Sequence, residues 1–261
     1  MTELNDRWLV GKLVEVFERF PSVDDTAVDA AVREAKQQRT QNRFTLEAIQ
    51  RERQDRRNVL GPIFDHDLQT LSDRGCPQWI LEEVSAQRER VLDVASAKER
   101  PWAPLPVPLV GPVIPAAYLG YPALMAMVRN GERAGHTRLN PAAVVDQIET
   151  PRGLYWLYDV DDGEAGGNLP QADRSLKGPR SPLTVAETIM LCALRDVLSS
   201  RRGLWCLGSR FMADRSREFD RMPVIYLDST GQPVLGERSP YSAPISMRGA
   251  SCGARLGPFG F

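Results

Sequence analysis

The chain has 261 residues, 42% of them hydrophobic and 26% charged, with a net charge of −1 when the histidines are neutral. That balance excludes a disordered or fibrous chain and gives no global attraction to nucleic acid or to an anionic membrane. The apolar run over 104–128 is broken by prolines and glycines. No stretch therefore supplies the roughly 20 uninterrupted apolar residues of a membrane helix.

The start, "MTELNDRWLV", lacks a basic leader followed by an apolar core. Cys76, Cys192, Cys206 and Cys252 are widely spaced with no C-x-x-C pair, which is neither a disulfide framework nor a zinc pattern. Both features predict a cytoplasmic protein with reduced thiols.

Residues 1–100 read as helices. Leu9, Leu13, Val16, Phe17 and Phe20 recur at helical spacing behind Asn5, and Pro21 stops the run. Ser22 or Asp24 can cap a second helix with Val28, Ala31, Val32 and Ala35 on one face. Over 36–61 the helix formers continue, but Phe44, Leu46 and Ile49 are the only clear apolar anchors. Leu60, Phe64, Leu68 and Leu71 make a further stripe, ended by Gly75. Pro77 then opens a helix carrying Ile80, Val84, Val91 and Val94. The expectation is an elongated helical arm, a bundle or hairpin, whose narrow stripes invite a protein partner or a second copy.

Prolines at 101, 104, 106, 108, 112 and 115 forbid helix continuation. Residues 101–114 are thus expected to be an extended connector or an edge-wrapping segment, docked through Trp102 and Val110. The domain boundary is placed there.

Residues 115–261 read as an α+β domain on a small, largely antiparallel sheet. "AAYLGYPALMAMV" is a short helix or a pair of turns, and Asn140 followed by Pro141 opens another helix. "LYWLYDV", "GLWCLGS" and "PVIYLD" are strand signals, and Asp228 to Gln232 turns a hairpin. "PLTVAETIMLCALRDVL" is a helix capped by the Thr184/Glu187 capping box. The Gly-rich tail "GASCGARLGPFGF" is expected to be irregular.

The blocks "YLGYPALMAMV", "LYWLYDVDDGE", "RSPLTVAETIMLC", "GLWCLGSR" and "MPVIYLDSTGQPVLG", in that order over about 115–238, resemble an uncharacterised bacterial family common in actinobacteria. The resemblance implies no activity. Typical members continue after the hairpin with a segment containing Trp and His, whereas "RSPYSAPISMRGASCG" here has neither. The helices of 1–100 are an addition to that pattern.

Four acids, Asp159, Asp161, Asp162 and Glu164, follow the aromatic strand. As a calcium loop the spacing fails, because glycine comes one residue early and Pro170 takes the twelfth position. Asp159 and Asp161, on one side of a strand, could hold Mg²⁺ loosely. The preferred reading is a strand end whose charges lie in water. Gly208, Ser209 and Arg210 could form a small anion nest, or a turn whose arginine pairs with Asp159 or Asp214. Asp159, Asp161, Ser209 and Arg210 are the candidates for one shared cleft.

There is no Walker or Rossmann glycine pattern, and only two histidines, His66 and His136, in different regions, so Ser209 has no recognisable base. No cofactor is expected. The arginines of 33–57 are interleaved with acids at pairing distance, which favours a salt-bridged exposed helix over a nucleic-acid contact. Two functions follow: an interaction or adaptor protein working through its N-terminal helices, or a metal- or anion-dependent enzyme using Asp159, Asp161 and Arg210. The first is preferred.

Overall fold

A computed structural model describes residues 25–98, 107–161, 180–200, 202–212, 221–239 and 247–259. The helix expected over 5–20, Trp102, Asp162, Glu164 and Asp214 lie outside the described residues. The chain forms two compact units, Met1–Arg53 and Gln54–Phe261. The division by contacts falls near residue 53.

In the first unit the described residues are all helical, as part of α1 (Asp25–Asp73). Charged and amide side chains dominate the sequence of this stretch, which favours helix but leaves little to bury. In the second unit the same helix carries Leu60, Phe64 and Leu71, all buried. It ends at Gly75, whose φ of 81° suits glycine after a helix. α2 (Gln78–Ala86) and α3 (Arg88–Ala97) follow, burying Ile80 and Val84, then Val91, Leu92 and Ala95. The single helix expected after Pro77 is broken at Gln87, where no glycine or proline marks the break.

The proline-rich segment is structural over its last half. Val107–Val113 forms β1, pairing antiparallel with β6 (Tyr155–Asp161). Val110 is fully buried, as the docking expectation required. β1 is an edge strand, the one sheet position that tolerates proline. Gly111 has a φ of 148°, and a Cβ there would lie 2.8 Å from Cδ1 of Trp156. The strand therefore passes over the indole only with glycine at this point. Trp156 stacks on Phe64 at 6.1 Å, so helix α1 and the sheet share one core.

α4 (Ala116–Met127) is two short helical pieces joined at Gly120. β2 (Arg129–Asn130) and β3 (Arg133–Ala134) form a small hairpin, followed by β4 (His136–Thr137). The helix expected from Asn140 is a single 3-10 turn, Pro141–Ala143, capped by the Asn140 side chain. The branched pair Val144 and Val145 then passes into β5 (Val144–Asp146). β7 (Ser181–Pro182) leads into α5 (Val185–Leu194), all ten of whose residues are buried. Thr184 and Glu187 form the expected capping box.

β8 (Gly203–Trp205), β9 (Ser209–Phe211), β10 (Met222–Leu227) and β11 (Pro233–Arg238) follow, then β12 (Met247–Gly249) and β13 (Ser251–Leu256). One sheet has the order β1-β6-β13-β7, entirely antiparallel. The other has the order β12-β8-β10-β11-β4, with parallel pairing only at its two edges. The fold is α+β with predominantly antiparallel sheets. The tail expected to be irregular supplies β13, an interior strand: its alternation is hidden by small residues, and β6 on one side and β7 on the other provide the order.

Candidate functional site

The aromatic strand does not end in water at Asp159. Every residue from Tyr155 to Val160 is buried, and Asp159 is only 8% exposed. Asp159 is the one non-glycine residue with positive φ, 58°, among the described residues. That conformation removes it from strand alternation and lays its side chain over Gly253 of β13, where a Cβ would come within 2.9 Å of Oδ2.

Arg180 answers its charge. Nη1 donates to Asp159 Oδ2 at 3.0 Å, Nε to Ser251 Oγ at 3.0 Å, and Nη2 to the Ser251 carbonyl at 3.2 Å and to the Asp159 carbonyl. The expectation that these charges end the strand in solvent is thus corrected at Asp159, which faces a guanidinium inside the protein. Asp161 is half-buried opposite Ser251.

Ser209 and Arg210 lie on β9, which pairs with β5 and belongs to neither large sheet. An anion nest needs free backbone donors. Here the Gly208 N–H donates to Leu183 O at 2.8 Å and the Ser209 N–H to Cys206 O at 3.0 Å. Ser209 Oγ accepts from the Val185 N–H at 3.0 Å, satisfying the first turn of α5, and donates to Asp146. Partial burial raises the Asp146 pKa, against the Ser209 hydrogen bond. Arg210 Nη1 donates to the carbonyls of Leu207 and Ser209. Asp159 is therefore engaged by Arg180 and Ser209 by Asp146, on different sheets. An enzyme built on Asp159, Asp161 and Arg210 gains no support from this geometry.

Two further buried ion pairs escaped the sequence. Glu187, fully buried, accepts from Tyr155 Oη at 2.9 Å and from Arg255 Nε and Nη2 at 2.6 and 2.8 Å. Its Oε2 also accepts from the Thr184 N–H, closing the capping box. Burial opposes the charge on Arg255, but the Glu187 hydrogen bonds and charge override it and its pKa rises. Burial and the Glu187 carboxylate push the Tyr155 pKa up. Asp67, 1% exposed, is held by Arg195, which also donates to Leu109 O at 2.8 Å. Burial raises the Asp67 pKa to about 6, against the Arg195 hydrogen bonds. The capping box signalled Glu187 as a cap residue only, and no local signal links Asp67 to Arg195.

The four thiols are all buried. Burial pushes Cys76 and Cys252 to about 11 and Cys206 to about 12, and raises Cys192. They stay protonated at neutral pH, which suits core packing and not nucleophilic attack. Among the described residues no group of three or more His, Cys, Asp or Glu could hold a metal ion. No described helix is long and apolar enough to cross a membrane.

The remaining candidate is the outer part of α1. Every side chain from 45 to 53 is exposed, including Leu46 at 59% and Ile49 at 42%. Leu46 and Ile49 are three residues apart and share a helix face. Comparison with known protein families, characterised proteins and solved structures finds no match to this chain.

Proposed function

We propose that this chain is an interaction protein that uses the outer part of α1 to bind a protein partner or a second copy of itself. The observation that carries the reading is the uncovered Leu46/Ile49 face. Every side chain of this stretch is exposed, so it takes little stability from tertiary packing, the usual main source of helix stability. A partner surface over Leu46 and Ile49 would supply that packing at about 25 cal/mol per Å² of apolar area. The body supports the same reading, since the carboxylates of Asp67, Asp159 and Glu187 are matched by arginines that hold the fold together. The likeness to an uncharacterised bacterial family over 115–238 adds no activity to it.

Light scattering of the full chain over a range of concentrations tests the reading, compared with Leu46→Glu/Ile49→Glu. A mass above that of one chain that falls in the variant supports self-association. A monomer at every concentration leaves a heterologous partner as the form of the proposal to test.

A further inference from the structure

Apart from the helix and the buried pairs, the second unit carries a cleft of about 470 Å³. It lies between the end of α1 (Asp73, Arg74), the β2–β3 hairpin (Arg129, Asn130) and the residues after α5 (Arg195, Asp196). Arg195 is neutralised by Asp67 behind it. Arg74 and Arg129 are not neutralised in this way: among the described residues neither has an ion-pair partner. Arg74 Nη1 donates to the Met127 carbonyl at 2.9 Å, which fixes the half-buried guanidinium beside the hairpin. Burial and then the like charge of Arg129 depress the Arg74 pKa, and Asp196 only partly compensates. Two guanidinium groups facing one cavity under mutual repulsion are stabilised by an anion placed between them.

The cleft has a second chemical side. Asn130 donates Nδ2 to Gly231 O at 2.8 Å, which leaves Oδ1 as an acceptor, and Asp73 and Asp196 add carboxylates. These groups would repel a second anionic group and accept hydrogen bonds from hydroxyls.

We infer that this cleft binds a small organic anion, a phosphate or carboxylate seated between Arg74 and Arg129 and joined to hydroxyl groups that donate to Asn130, Asp73 and Asp196. The inference is independent of the role of α1.

Calorimetric titration of the full chain at low salt, with glycerol 3-phosphate and with inorganic phosphate as probes, tests it. Saturable binding of both is expected, tighter for glycerol 3-phosphate. Arg129→Gln, an exposed position, is expected to weaken both by about tenfold or more with the melting temperature unchanged. Asp196→Asn removes a like charge and is expected to tighten inorganic phosphate. Absence of saturable heat with either probe overturns the inference, as does equal affinity in Arg129→Gln. Arg74→Gln is the second variant. If it stays folded and binds as tightly as the parent, the anion does not sit where the cleft places it.

Discussion

Asp67 shows most directly how single residues in this molecule trade charge against burial. Its carboxyl sits among apolar side chains with one guanidinium, and its pKa is raised to about 6 in the folded chain. In the unfolded chain it titrates near 4. Between these values the folded state holds more protons, so the Asp67 contribution to stability declines as pH rises from about 4 to about 6. Asp67→Asn removes that slope. Urea unfolding at pH 4, 5, 6 and 7 is expected to show the variant gaining on the parent by up to about 3 kcal/mol across the window; a difference that stays flat would refute it. Glu187, also buried, receives two hydrogen bonds from Arg255. Arg255→Met leaves a buried, unpaired carboxylate and is expected to cost about 3–5 kcal/mol in the same assay. A loss below about 1 kcal/mol would indicate a solvated pair. None of these pairings could be read from sequence. Arg195 is 128 positions from Asp67 and Arg255 is 68 from Glu187, and only the folded chain brings them together. Asp159 was recognised as a candidate, but its alternation argument failed because a positive φ turned the side chain inward onto Arg180.

At the scale of elements, local chemistry decided what was legible. The Thr184/Glu187 capping box, the aromatic strand over 155–161 and the hairpin at Asp228–Gln232 carry their instructions within a few residues. In the hairpin, Asp228 Oδ1 accepts from the N–H groups of Thr230 and Gln232 at 2.9 and 3.1 Å, a local closure of the turn. β13 carries no such instruction. Its Ser, Gly and Ala residues have weak strand preference, and pairing with β6 imposes the conformation. The close passage of β-strand and helix start at Gly208 was equally invisible. A Cβ there would lie 2.9 Å from the backbone carbon of Leu183 and the backbone nitrogen of Thr184. Backbone atoms cannot rotate aside, so Gly208→Ala is expected to destabilise by about 1–3 kcal/mol, read from the shift of the thermal midpoint. An unchanged midpoint would mean that the two segments separate at no cost.

For the molecule as a whole, two units with different chemistry share one long helix. Gln54–Phe261 buries Phe64, Trp156 and Trp205 and matches Asp67, Asp159 and Glu187 with arginines, while the described part of Met1–Arg53 presents charged side chains with Leu46 and Ile49 among them. The helical nature of this segment was legible in its composition, and so was the thinness of its apolar stripe. The division near residue 53 was not, because no glycine or proline marks it within the charged run 50–57. Substitutions at Leu46 and Ile49 are therefore expected to leave the unfolding free energy of the body within about 0.5 kcal/mol of the parent, while abolishing association. The most direct measurement is photo-crosslinking from position 46, with a benzoyl-phenylalanine replacing Leu46 in the full chain inside its source cells. The account predicts an adduct of defined mass, to a second copy or to one partner protein, that disappears when Ile49→Glu is added. Irradiation that yields no adduct beyond the chain itself, or one indifferent to Ile49→Glu, would contradict it.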